Sequence, residues 1–301
     1  MAAVTATLNY VAPGSQRNRL YVAPGAHMST TEYEPHAVQV ADGRPYREQF
    51  SLDRTGFTLL HHRSAVTDFR DAAQVDAIYA AEARRLVAGV TGADHVAAVS
   101  WVLRSAAGSD GAAGSDSAAE SESAAGDRSA AEARGGAQPP AADVHVDVHP
   151  DRAAGRFRDF QDRLGLPGKT FRRAIFTSLW RTFSPPPQDW PLAICDYRST
   201  DDAEGVPNLM LVVDELPARA AVPDVIEDAA ARPAASVFAF SPAHRWWYFP
   251  DMHAGEALLF KLHDTDHTVA WRAPHTAFRD PTVTTSHNRV SIEIRTVAFF
   301  Y

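Results

Sequence analysis

"ADVHVDVHP", residues 142–150, decides how the chain is read. His145, Asp147 and His149 stand at every second position, with Val144, Val146 and Val148 between them. Alternate side chains of a β-strand share a face. The spacing therefore predicts a strand with one apolar face and one face able to ligate a metal. Pro150 has no N–H for a ladder and ends that strand. A His and a carboxylate two apart can reach one ion. A third ligand from elsewhere would complete a 2-His-1-carboxylate triad, which leaves positions open for oxygen chemistry on non-haem iron. A solvated strand edge carries the same pattern, and these nine residues alone leave both readings open.

Composition narrows the classes. The chain has 301 residues, 45% of them hydrophobic, enough for one large domain. A net charge of −8 without a basic cluster argues against a nucleic-acid surface. Cys195 is the only cysteine, so no internal disulfide forms, as expected in a reducing cytoplasm. In "WPLAIC" it reads as a small buried hydrophobe. No apolar run reaches the 18 or so residues of a membrane span. The N-terminus lacks a basic start followed by an apolar core, so no signal peptide is expected. These features predict a cytoplasmic protein with no membrane partner; oligomeric state is left open.

Around the central stretch, residues 1–104 read as an N-terminal α/β elaboration. "YVAPG" occurs at 10–14 and 21–25 and predicts two extended segments, each closed by a turn. "FTLLHHR" (57–63) and "HVAAVSWVL" (95–103) are strand-like. Between them, residues 71–93 are helical, with Val75, Ile78, Tyr79, Leu86 and Val90 at helical spacing, Asp71 near the start and Gly92 near the end. Residues 105–140 have no aromatic residue and no Val, Ile, Leu or Met. Such a segment cannot bury enough apolar surface to offset its ordering entropy, which predicts a disordered loop within one domain.

From 141 to 301 the chain reads as short strands between turns: "AIFTSLWRTF", "LAICDYR", "NLMLVVDEL", "SVFAFS", "RWWYFP", "EALLFKLHD", "HTVAWRA" and "RVSIEIRTVAFF". One helical insertion, 151–165, interrupts them. The fold class is mainly β with α elaboration, a barrel or double-sheet jelly roll.

The third ligand is not selected by composition, since His244, His253, His263, His267, His275 and His287 all qualify. The block 273–295, "APHTAFRDPTVTTSHNRVSIEIR", is more telling. On a strand, Arg289, Ser291, Glu293 and Arg295 share one face, while Val290, Ile292 and Ile294 share the other. An Arg and a Ser side by side suit a carboxylate, which a guanidinium grips at two points and a hydroxyl supports.

With these residues in hand, the chain resembles a family of iron-dependent oxidoreductases of secondary metabolism. That family includes the fungal gibberellin desaturase and the bacterial protein of cephamycin 7-methoxylation. The resemblance runs in order through "TATLNYV" (5–11), "FSLDRTGFTLLHHRSAVTDF" (50–69), "VHVD" (144–147), "SLWRTF" (178–183), "PLAICDYRS" (191–199), "HRWWYFPDM" (244–252), "EALLFKLHD" (256–264), "APHTAFRDP" (273–281) and "RVSIEIR" (289–295). It implies a double-stranded β-helix (jelly-roll, cupin-like) core at 141–301. It implies Fe(II) on His145, Asp147 and His275, with 2-oxoglutarate as cosubstrate and O2 as oxidant. It makes Arg289 the leading clamp for the cosubstrate carboxylate, with Ser291 beside it. The 14 residues from His275 to Arg289 are more than is common in this fold class, so Arg295 and Arg181 stand as rivals. His149 is expected at the rim, orienting ligands or touching substrate. Trp180, Arg181, Trp246, Tyr248 and Arg295 are expected around the substrate pocket. Trp246 and Tyr248 face one way and Trp247 the other, so one of these aromatic faces should line the cavity. Asp196 and Arg198 are expected to pair with each other.

The function expected is an Fe(II)/2-oxoglutarate-dependent hydroxylase or desaturase acting on a small molecule. The alternatives are an iron oxidase or cyclase without 2-oxoglutarate, and a metal-binding jelly roll used for isomerisation or ligand binding.

Overall fold

The computed structural model describes residues 2–23, 26–105, 137–166 and 168–301. Two β-sheets carry the fold. The larger has ten strands in the order β1 (Ala3–Val11), β4 (Tyr33–Asp42), β12 (Trp246–Tyr248), β9 (Leu192–Cys195), β14 (His275–Ala277), β7 (His145–Val146), β11 (Ala234–Phe238), β10 (Gly205–Val212), β2 (Arg19–Ala23) and β3 (Ala26–Ser29). The smaller has five: β5 (Phe57–His61), β13 (Glu256–Asp264), β8 (Arg173–Thr182), β15 (Val290–Phe300) and β6 (His95–Ser105). The fold is mainly β with α elements, and the two sheets are not joined into a closed barrel by hydrogen bonds.

Alternation in β8, β13 and β15 makes the small sheet two-faced. Phe176, Trp180, Leu258, Phe260, Val297 and Phe299 join the main core with Val146, Ile194 and Val40 of the large sheet. Ile175, Leu179, Leu259, Ile292 and Ile294 pack beneath Val75, Tyr79, Ala83 and Val87 on the other side. Those last four stand at i, i+4 spacing on the helical segment that ends in Ala80–Thr91. They form its buried stripe, and each large side chain contributes about 1.5–3 kcal/mol. Val90, expected on that stripe, is exposed. Asp71 caps the segment at Ala73 and Gln74, and Gly92 ends it in the left-handed conformation.

The first hundred residues are less separate than the sequence reading implies. They supply β1, β2, β3 and β4 to the large sheet and both edges of the small one, β5 and β6. Of the segment expected to be disordered, Ser105 ends β6 and Gln138 pairs beside it through Ser105 N–H (2.8 Å) and Leu103 C=O (2.9 Å). The rest of that expectation, 106–136, lies outside the described residues.

Two strands predicted from sequence take other forms. "HTVAWRA" (267–273) is not a strand. Ala270 donates its N–H to Asp53 and accepts the Lys261 ammonium on its carbonyl, so no ladder is needed. In "DVHVDVH" His145 and Val146 form the strand and Asp143 makes an isolated bridge to Asn9; the chain bends away at Asp147 and enters the helix Pro150–Arg163. Pro150 thus begins a helix at a position where its missing N–H costs nothing.

Candidate metal centre and carboxylate pocket

β7 and β14 are adjacent antiparallel strands, and His145 is paired directly with His275. Their rings lie 4.4 Å apart. The bend after Val146 returns Asp147 to the same side, with Oδ1 3.6 Å from His145 Nε2. Ligand atoms of His145, Asp147 and His275 all fall within 4.8 Å of one another, and among the described residues this is the one such group. All three side chains are buried.

The donor set suits a divalent metal on chemical grounds. His145 Nδ1 meets the Asp143 carbonyl at 2.8 Å, and His275 Nδ1 meets the Ala273 carbonyl at 3.1 Å. A carbonyl only accepts, so each Nδ1 carries a proton, and in the neutral ring each Nε2 keeps its lone pair. Burial, reinforced by neighbouring His145, pushes the His275 imidazole down to about 4, which keeps it neutral. Burial alone would raise Asp147, but Arg295 and the two imidazoles outweigh it and hold the carboxyl near 2. The centre therefore offers two imidazole nitrogens and one carboxylate oxygen.

The predicted clamp sits on β15 and the residue before it. Arg289 is buried and makes no ion pair among the described residues. Its Nη1 donates to the Trp190 carbonyl (2.9 Å), its guanidinium stands over the Trp180 ring (5.6 Å), and its Nε has no partner. Burial, with repulsion from Arg104, lowers this guanidinium to about 9, still cationic at neutral pH. The Ser291 hydroxyl is also buried without a partner. Glu293, which shares the predicted strand face with Arg289, accepts from Arg104 (3.1 Å) and Arg295 (3.0 Å).

Both rivals are committed elsewhere. Arg295 donates Nε to Asp147 Oδ2 at 2.8 Å. Arg181 lies opposite Ile292, on the face away from the large sheet. There it donates to the His62 and Ala254 carbonyls (2.9 and 2.5 Å) and lies against Tyr79. It therefore lies on the helix-covered face of the small sheet, whereas Trp180, paired opposite Glu293, lies on the face toward the large sheet.

Other expected pocket residues divide. His149 caps the helix Pro150–Arg163, its Nδ1 accepting from Asp151 N–H at 3.4 Å. In the large sheet, Trp247 pairs with Ile194, Ile194 with His275, and His275 with His145. Trp247 therefore shares the side of the ligand histidines. Trp246 and Tyr248 occupy the alternate row, held by Tyr10 (2.8 Å) and Asp280 (3.4 Å). This corrects their expected pocket placement: alternation establishes which aromatics oppose each other, not which row turns inward. Sequence reasoning also missed Asp143, whose carbonyl orients His145 from two residues away, and Arg104, whose role depends on a strand neighbour distant in sequence. Asp196 and Arg198 pair as expected (2.6 and 2.9 Å), though within a turn. Cys195 is buried and its thiol is pushed up to about 12 by burial, in keeping with a packing role.

The family model described as oxidoreductase/YMDC permease-like domain matches residues 8–299. The chain belongs to this family. It is 28% identical over 291 residues to the Fe(II)/2-oxoglutarate-dependent dioxygenase nvfI of Aspergillus novofumigatus, covering 93% of this chain and 89% of that protein. It is 28% identical over 302 residues to the hydroxylase/desaturase efuI of Hormonema carpetanum, covering 99% and 95%. A 136-residue portion, 42% of this chain and 56% of the relative, is 38% identical to the hydroxylase/desaturase asaB of Aspergillus flavus. The solved structure of the iron and alpha-ketoglutarate-dependent endoperoxidase NvfI superimposes with a TM-score of 0.72 at 26% identity, over 99% of this chain and 98% of that one. The protein is an enzyme, a non-haem iron oxidoreductase of the 2-oxoglutarate-dependent dioxygenase type. Among the described residues, no helix is long and apolar enough to cross a membrane.

Proposed function

We propose that the protein is an Fe(II)/2-oxoglutarate-dependent hydroxylase or desaturase of a small secondary metabolite, with its iron on His145, Asp147 and His275. The observation that carries this reading is the pairing of two features on facing sheets. One is a buried His–Asp–His cluster with both imidazole Nδ1 atoms on backbone carbonyls. The other is a buried Arg–Ser pair with a guanidinium N–H and a hydroxyl unpartnered. A dianionic 2-oxo acid satisfies both, because one end can chelate a metal and the other needs a cation and a hydroxyl.

Iron with 2-oxoglutarate and O2 supplies an oxidant that removes hydrogen from an unactivated C–H bond, the 2-oxo acid leaving as succinate and carbon dioxide. The chain supplies the geometry. His145 Nε2, His275 Nε2 and Asp147 Oδ1 hold the metal. Arg289 and Ser291 take the far carboxylate and so orient the cosubstrate. Phe260, whose ring lies 4.5 Å from His275, and Ile194 and Trp247 form an apolar wall that keeps water from the reacting atoms.

The finer readings follow. We take the facing sheets as a double-stranded β-helix, and the ordered motifs as favouring the subgroup of the gibberellin desaturase and cephamycin methoxylation proteins. The decisive experiment is anaerobic. Fe(II) and then 2-oxoglutarate are added to metal-free protein, and the visible charge-transfer band of a chelated 2-oxo acid is expected. Iron binding without the band would overturn the cosubstrate assignment in favour of an oxidase that draws its electrons from substrate alone. No iron binding would overturn the metal centre.

A further inference from the structure

We propose that Arg295 is a positioning residue for the iron centre, acting through Asp147 and not on the cosubstrate; this rests on the iron site proposed above. The two oxygens of Asp147 have different neighbours. Oδ1 faces His145 Nε2 at 3.6 Å, whereas Oδ2 accepts the Arg295 Nε at 2.8 Å. A carboxylate with one oxygen held by a guanidinium presents the other as a single donor. The chain would then contribute three ligand atoms to the metal, one each from His145, Asp147 and His275.

Arg295 is itself anchored. Its Nη2 donates to Glu293 Oε1 at 3.0 Å, and Arg104 donates to the same oxygen at 3.1 Å. Arg104 stands on β6, where its other Nη donates to the Pro139 carbonyl at 3.0 Å. A buried chain of alternating charge thus runs from β6 through Arg104, Glu293 and Arg295 to Asp147. Each member has a counter-charge, which buried ions require. Register sets Arg295, though not Arg104, which is paired opposite Ser291, apart from the carboxylate pocket. Arg295 is opposite Ser178, and Ser291 is opposite Thr182, four residues nearer the start of β15.

The test uses full-length protein and Co(II), whose visible absorption reports binding without oxygen chemistry. Arg295→Gln is expected to weaken Co(II) binding by about 10–100-fold. Its affinity for 2-oxoglutarate at saturating Fe(II), read from the charge-transfer band, is expected to stay unchanged. Arg295→Lys restores part of the metal affinity. Arg289→Lys gives the inverse split. An Arg295→Gln variant that binds Co(II) like wild type overturns the proposal. So does one that keeps the metal and loses 2-oxoglutarate, which is the behaviour of a clamp. Should Arg295→Gln fail to fold, Glu293→Gln/Arg295→Gln removes one anion and one cation together and is read against Glu293→Gln alone. Wild-type protein that binds neither Co(II) nor Fe(II) overturns the iron site itself, an outcome distinct from a defect confined to Arg295 variants.

Discussion

His145 and His275 face each other across one strand pair, rings 4.4 Å apart, each held by a backbone carbonyl two residues earlier in its own chain segment. A site built this way has its ligands oriented before metal arrives. His145→Ala, Asp147→Ala and His275→Ala are each expected to abolish iron binding and turnover while the protein stays folded. Iron affinity by anaerobic titration and turnover by succinate release check this. A His275→Ala variant with wild-type iron affinity and activity would remove His275 from the ligand set.

Arg289 predicts a trade between stability and function. A buried guanidinium without a counter-ion destabilises the cosubstrate-free protein, and burial already pulls its pKa down. Arg289→Met is expected to raise the Tm of the metal-free protein. The same change removes a charge-assisted contact that the 2-oxo acid needs, costing about 2–5 kcal/mol, a loss of ~30-fold or more in affinity. At 100 times its Kd, 2-oxoglutarate should stabilise wild-type holoenzyme by about 2.7 kcal/mol. In the variant at the same concentration the shift should fall to about 0.9 kcal/mol or less. Equal thermal shifts in both proteins would place the carboxylate elsewhere.

Much of this was legible in the sequence because alternation is a local property. "VSIEIR" placed Ser291, Glu293 and Arg295 on one face and Ile292 and Ile294 on the other, and the two faces differ as expected. What escaped was non-local. The bend at Asp147 depends on a helix starting at Pro150. The irregular path of 267–273 depends on Lys261, whose ammonium reaches Ala270, Asp53 and Asp264. The partner of Glu293 depends on β6 lying beside β15. For 267–273 and for Glu293, a charged side chain from another segment supplies what the local ladder would have supplied.

Arg181 offers a control for the clamp. It is as deeply buried as Arg289 but faces the helix-covered side, where it satisfies the His62 and Ala254 carbonyls. Arg181→Met leaves both without that donor, at about 1–3 kcal/mol for each that stays buried and unpaired. The expected result is a lower urea midpoint with unchanged affinity for 2-oxoglutarate. A selective loss of cosubstrate binding would reverse the assignment of these two arginines.

Trp246 and Trp247 are adjacent in sequence and should fail differently. Trp246 donates its indole N–H to Tyr10 at 2.8 Å, in the row facing away from the ligand histidines. Trp246→Phe deletes that bond at about 1 kcal/mol and should lower stability without altering products. Trp247 shares the row of Ile194 and His275, with its ring against Phe50 (5.0 Å) and Tyr46 (5.6 Å). Trp247→Phe opens space on the wall of the proposed substrate chamber. With a substrate identified, it should change the ratio of oxidation products or the substrate KM, while iron and 2-oxoglutarate bind as in wild type. Product ratios measured by mass spectrometry decide between them. A product change in Trp246→Phe and none in Trp247→Phe would mean that the other face of β12 lines the chamber.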